Sequence, residues 1–278
     1  MTSVTGNLRK MPVEPGAVGQ TAQYALLIGE EKVPLNPLLG THISLEYTGN
    51  INCVSCGRKT KKSFNQGHCF PCMKKLASCD SCIVKPELCH YHEGTCREPE
   101  WGEANCMSPH IVYLANSSGL KVGITRKNQV PTRWLDQGAT QALPIFEVPT
   151  RRLAGLVEVG LAKHVADKTD WRKMLKGSAD ELDLAEEAED LLGAAPEALE
   201  DLPLEADQAI LRLEAADADW SFEFPVEQHP EKVKSMTFDK LAKVEGILQG
   251  IKGQYLILDT GVINIRRHGG YEVTFSYD

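Results

Sequence analysis

Short alternating runs of apolar and polar residues lie at both ends of the chain. Near the N-terminus Gln23-Tyr-Ala-Leu-Leu-Ile28, a Gly-Glu-Glu turn and His42-Ile-Ser-Leu-Glu-Tyr47 read as strands. Near the C-terminus Val244–Leu248, Tyr255–Leu258, Val262–Arg266 and Tyr271–Tyr277 read as four more strands, separated by glycines. Such spacing fits a small barrel or sandwich, and both flanks fit into one barrel with the middle of the chain inserted. In the middle, Ile111–Ala115 and Leu120–Thr125 flank the polar turn Asn116–Gly119, the pattern of a hairpin. Pro131 suits the opening turn of a helix through Arg133, Trp134 and Leu135. A strand at Leu143–Val148 and a helix from about Leu153 to Ala166 follow. Between 178 and 220 the period is helical, broken by Pro196 and Pro203, with Leu182, Leu184, Leu191 and Leu192 as an apolar stripe.

The expected fold is therefore α+β. Five segments follow: an N-terminal β segment (1–50), a cysteine-rich module (51–108), an α/β core (109–177), a helical or mobile segment (178–220) and a C-terminal β segment (221–278). No apolar run reaches the ~18 residues of a membrane helix. The first twelve residues lack the apolar core of a secretory signal, so a cytoplasmic setting without membrane partners is expected.

The net charge of −8 conceals a division along the chain. Residues 51–176 carry 19 basic and 11 acidic side chains, and residues 177–220 carry one basic and 15 acidic. A basic body with an acidic appendage fits a nucleic-acid binder, with the appendage screening the basic face.

All nine cysteines lie between 53 and 106. The odd count and the chain's size disfavour a disulfide framework and favour metal. Cys53, Cys56, Cys69 and Cys72 form C-x2-C-x12-C-x2-C, the spacing of a closed, structural tetrahedral zinc site. Cys79-Asp-Ser-Cys82 is a third pair, followed by Cys89, His90, His92, Cys96, Cys106 and His110. A second zinc site would draw on either Cys79, Cys82, Cys89 and Cys96, or Cys82, Cys89, His92 and Cys106. One or two structural zinc ions are expected. In the loop of the first site Arg58, Lys59, Lys61 and Lys62 suit phosphate, and Phe64 suits stacking on an unpaired base.

The order hairpin, helix, strand, helix after the cysteines resembles the GIY-YIG nuclease core, most closely its phage-type subclass. Ile111-Val112-Tyr113 stands at the first tripeptide and Lys121-Val122-Gly123, then Thr125, at the second. The first lacks the family's glycine and the second its tyrosine. The resemblance covers roughly 109–177. It implies Arg133 as the arginine of the first helix, Glu158 as the metal-binding carboxylate, and His164 and Trp171 as residues that often accompany them. The stretches CGRKTKKSFNQG, GTCREPEWGE, HIVYLANSSGLKVGIT and PTRWLDQGA are also similar to an uncharacterised bacterial domain-of-unknown-function family. That similarity implies an architecture rather than a reaction.

Phosphodiester hydrolysis needs a base for water, a cation at the developing charge and usually a metal. Tyr113 is the candidate base, Arg133 the phosphate fork, Lys121 an added positive charge and Glu158 the holder of Mg²⁺ or Mn²⁺. The expected function is a zinc-binding, nucleic-acid-binding protein on DNA or RNA, with endonuclease chemistry in its core. The alternative is a non-catalytic zinc adaptor with an RNA or protein partner. No phosphate loop or dinucleotide fingerprint points to a metabolite enzyme.

Overall fold

The computed structural model describes residues 2–17, 19–165, 170–177, 179–200, 202, 210–214 and 220–278. The first flank supplies β1 (Thr2–Asn7), β2 (Val13–Glu14), β3 (Gln23–Ile28), β4 (Glu31–Pro34) and β5 (His42–Ile51). The cysteine module holds α1 (Phe70–Lys75), four short 3-10 turns and α2 (Pro99–Cys106). The core follows as β6 (His110–Asn116), β7 (Leu120–Arg126), α3 (Thr132–Asp136), β8 (Gln141–Val148), α4 (Arg151–Ala162) and α5 (Trp171–Lys176). The acidic stretch gives α6 (Leu184–Ala194), α7 (Glu197–Glu200) and β9 (Leu211–Arg212). The last flank gives β10 (Trp220–Ser221), β11 (Ser235–Met236), β12 (Lys243–Lys252), β13 (Tyr255–Leu258), β14 (Gly261–Asn264) and β15 (Tyr271–Tyr277).

The chain is a mixed α/β protein with several sheets. The two flanks do join, in a seven-stranded sheet of order β1-β15-β5-β12-β13-β14-β11. It is not the expected barrel: β1 and β11 stand at opposite ends of the order, and no closed barrel forms among the described residues. In β15 Tyr271, Val273 and Phe275 are buried while the intervening residues are partly exposed, the alternation of a sheet with one covered face. The polar strand β1 pairs with β15 in register from Thr2↔Tyr277 to Asn7↔Glu272.

The second sheet, β10-β8-β6-β7, has β6 at its centre with all seven residues buried and β7 at an edge. Its two faces feed different cores. Ile111, Tyr113 and Ala115 pack with Leu45, Val273 and Phe275 of the flank sheet. Val112, Leu114, Val122 and Ile124 pack beneath α4, α6 and α7. Each buried aliphatic side chain contributes roughly 1.5–3 kcal/mol relative to exposure, so β6 ties both layers together.

The described part of the acidic stretch is thus a packing element. Leu184, Ala188 and Leu191 of α6 are buried, and its first turn carries Glu186 and Glu187 where the helix dipole favours anions. Asp183 caps the helix, its carboxylate accepting from the N–H groups of Ala185 and Glu186. The leucine stripe, not the acidic side chains, decides where these helices sit. The second core helix ends at Ala162, short of the expected Ala166, which like Pro203 lies outside the described residues.

Helix α4 is wedged between two neighbours through its glycines. A Cβ built on Gly155 would lie 2.5 Å from Cβ of Pro86 and 2.6 Å from the Glu87 amide nitrogen, in the 3-10 turn Pro86–Leu88. Arg151, at the start of α4, donates from Nη2 to the Ile83 carbonyl at 2.7 Å. The cysteine module is therefore clamped onto the helix that carries Glu158.

Candidate metal centre and basic cleft

β5 runs straight into Cys53, whose N–H donates to the Arg58 carbonyl at 2.9 Å while its own carbonyl accepts from Gly57 at 2.9 Å. The second pair sits at the start of α1, where Cys69 is the N-cap residue. The sulfurs of Cys53, Cys56, Cys69 and Cys72 all lie within 4.8 Å of one another, and Cys56 Sγ and Cys69 Sγ are 3.8 Å apart. A tetrahedron with ~2.3 Å zinc–sulfur bonds has an edge of about 3.8 Å, so the geometry suits zinc. Burial alone would raise the Cys53 thiol, but donation from the backbone of Cys56, Cys69 and Ser55 brings it down to about 6. Cys72 moves the other way, to about 12, because it shares hydrogen bonds and charge with the other three thiols. One thiolate forms readily and resists the next, the condition that a dication relieves.

Of the remaining cysteines, Cys82, Cys89, Cys96 and Cys106 line a single small cavity beside Asp80 and His90. Cys79 and His92, which the two sequence-based ligand sets include, are outside that lining. His92 is exposed, 3.7 Å from Glu93.

In the loop between the first two cysteine pairs, Arg58, Lys59, Lys61 and Lys62 are exposed. Phe64 is half-buried, packed on Phe70 at 5.5 Å between ring centroids, with Lys62 Nζ 5.4 Å from its ring. Phe70, missed in the sequence reading, is the more open ring at 47% exposure, with Lys74 Nζ 4.8 Å from it. Arg58, Lys59 and Lys61 do not reach the cleft described next, and Lys62 lines an adjoining groove with Arg266, Arg267 and Asp239.

That cleft, of about 760 Å³, opens along the edge strand β7. Tyr113 from β6, Lys121 from β7, Arg133 from α3 and Glu158 from α4 all line it. The Tyr113 side chain is buried, and its hydroxyl donates to Gln137 Oε1 at 3.0 Å. Burial pushes the Tyr113 phenol up, the Arg133 guanidinium pulls it down through charge and a hydrogen bond, and the Glu158 charge pushes it up again. Asp136, the other carboxylate here, is engaged by Lys10 Nζ at 2.5 Å and Gln254 Nε2 at 3.0 Å. Arg126, Arg151 and Arg266 add positive charge that the sequence reading did not assign to a site. Arg266 follows β14, and its Nε donates to Gln66 Oε1 at 2.7 Å, joining the last flank to the first cysteine loop. The signal available for it was a pair of arginines, Arg266-Arg267, directly after an apolar strand. His164 and Trp171 are elsewhere: His164 Nε2 is 2.7 Å from Glu197 Oε1, and Trp171 stacks on Tyr255 at 5.5 Å. No described residue between 177 and 220 lines the cleft.

A family model described as Protein of unknown function (DUF2797) matches residues 40–273. The chain belongs to the DUF2797 family. The match takes in all nine cysteines of this DUF2797 protein and every cleft residue named above except Lys10. No curated protein and no solved structure matches the chain. Among the described residues, no helix of this DUF2797 protein is long and apolar enough to cross a membrane.

Proposed function

We propose that this DUF2797 protein holds the phosphodiester backbone of DNA or RNA in the β7 cleft and hydrolyses it there, in a cytoplasmic setting that keeps its cysteines reduced. The observation that carries this reading is the meeting of Tyr113, Lys121, Arg133 and Glu158, from four different elements, in one open cleft with further arginines around them. The same residues are those that the GIY-YIG resemblance selects, and the hairpin–helix–strand–helix order agrees with it.

Arg133 offers a planar fork for two phosphate oxygens, and its fixed charge meets the negative charge that develops at the phosphorus. Lys121 and Arg126, both on β7, add positive charge to the same cleft and draw the backbone in. Tyr113 stays a neutral phenol at neutral pH, because burial opposes the phenolate, and with its side chain fully buried and its hydroxyl on Gln137 it is not the base for water expected from the sequence but a residue that holds Gln137 at the cleft wall. Glu158 is the carboxylate that the GIY-YIG resemblance assigns to Mg²⁺ or Mn²⁺, ions that need one or two carboxylates and complete their shells with water and phosphate. When bound, that ion would supply Lewis-acid charge at the phosphate and a more acidic water. Cys53, Cys56, Cys69 and Cys72 would hold zinc, and the ion would then fix the loop that brings Asn65, Gln66 and His68 to the cleft wall.

The buried, protonated Tyr113 also favours a second reading, a nucleic-acid or protein adaptor that binds without cutting. Incubation of purified protein with single- and double-stranded DNA and with RNA, in Mg²⁺ or Mn²⁺, separates the two. Hydrolysis that disappears in Glu158→Gln while binding persists, and that falls with binding in Arg133→Ala, supports the enzyme. Binding with no hydrolysis supports the adaptor. Hydrolysis that neither substitution alters overturns the assignment of the cleft.

A further inference from the structure

We propose a second structural zinc site, formed by four thiolates: Cys82, Cys89, Cys96 and Cys106. It stands independently of what the cleft binds. These cysteines are separated by six, six and nine residues, so no paired knuckle announces them. The fold gathers them through the 3-10 turns at Ser81–Ile83 and Pro86–Leu88, the loop after Tyr91–Glu93, and the last residue of α2.

Three observations point to a metal ion. The four side chains surround a cavity of about 10 Å³, close to the ~10–15 Å³ that holds one water-sized particle and too small for an organic ligand. Next, Cys82, Cys89 and Cys106 are buried, so thiolate charge there needs a cation. Finally, Arg151 bears electrostatically on both Cys106 and Cys82, and its Nε is buried with no hydrogen-bond partner among the described residues. Four thiolates around Zn²⁺ carry a net charge of −2, which a guanidinium at that place offsets.

A competing set also exists. Donor atoms of Asp80, Cys82 and His90 lie within 4.8 Å of one another, whereas the four sulfurs are not all that close together, so an ion would have to draw them in. One of these, Asp80, is already committed. Asp80 Oδ2 is 2.7 Å from Arg97 Nε, and its Oδ1 accepts from the Ser81 N–H at 2.6 Å. His90 Nδ1 is 2.6 Å from Thr95 Oγ1. Both Asp80 oxygens are thus engaged, whereas His90 keeps Nε2 turned towards Asp80 at 3.5 Å, so the four-thiolate set is preferred on its burial and its shared cavity and not because His90 is occupied. Because Cys106 and Arg151 also line the cleft, the ion would brace the wall on which α4 rests.

Zinc analysis and X-ray absorption on the full chain, purified with a reductant, test this. The expected result is about two zinc ions per chain in an all-sulfur shell near 2.3 Å. With eight of nine cysteines ligated, a native thiol reagent should modify one residue, Cys79, until a chelator is added. The double variant Cys96→Ser/Cys106→Ser should lose one ion, and Asp80→Asn/His90→Gln should keep both. Should the double variant fail to fold, Co²⁺ substitution of the native chain gives the same answer through its thiolate charge-transfer band per cobalt. A single ion per chain overturns the proposal. So does a mean of about two and a half sulfurs per zinc, the average of one four-thiolate site and one Asp80/Cys82/His90 site.

Discussion

Gly123 faces Tyr113 across the β6–β7 pair, and a Cβ built on it would lie 2.8 Å from both Cζ and Oη of the phenol. The glycine is what lets the ring lie over the edge strand with its hydroxyl on Gln137. Gly123→Ala should therefore cost roughly 1–3 kcal/mol through overpacking and push the hydroxyl off its partner. In a Tyr113→Leu background the same change should be nearly neutral. Melting of the four proteins in a double-mutant cycle checks this, and additive losses would show that the two residues are not in conflict.

Lys252 is 1% exposed, with Nζ donating to the Gly177 carbonyl at 3.1 Å and lying 5.4 Å from the Phe224 ring. Burial pulls its ammonium down to about 8. Between about pH 8 and 10.5 the unfolded chain holds this proton and the folded chain does not, so stability rises with pH across that window, by about 3 kcal/mol at most. Below about 8 both states are protonated and the full burial cost is present. Lys252→Met should be more stable than wild type at pH 7, with the difference narrowing as pH rises to 10.5. Denaturant unfolding of both proteins at several pH values measures it. A difference that stays constant would contradict the burial argument.

At the other side of the cleft, Gly155 meets the backbone of Glu87, which cannot swing aside as a flexible side chain can. Gly155→Val should lift α4 from the Pro86–Leu88 turn, lower the melting temperature by several degrees and move Arg151 and Glu158 together. An exposed control on the same helix, Val159→Ala, should change little, since Val159 is 43% exposed. Equal effects from both would place the contact elsewhere.

Local features were legible in the sequence. The hairpin was visible because two β-prone runs flank a polar turn, and β6 and β7 lie within a residue of the expected bounds. Cys53, Cys56, Cys69 and Cys72 were visible because short ligand spacing is itself a geometric constraint. Long-range pairing was not. Nothing in Thr2–Asn7, a run of small polar residues, announces a partner in Tyr271–Tyr277, and the register that joins them comes from tertiary packing. The same limit hid Arg266, which reaches the cleft only because the flank sheet carries it there. The third pair, Cys79 and Cys82, is split by the fold. Its spacing copies a knuckle, but the backbone turns at Asp80 from one 3-10 segment into the next, and only Cys82 faces the small cavity.

The salt dependence of nucleic-acid affinity tests the cleft most directly. With short fluorescent DNA and RNA strands and no divalent ion, wild-type affinity should fall steeply with salt. Arg133→Ala and Arg266→Ala should each weaken binding and reduce the slope of log K against log salt by about one. Affinity that neither substitution changes, or a slope near zero in the wild-type protein, would contradict a phosphate-binding role for this cleft.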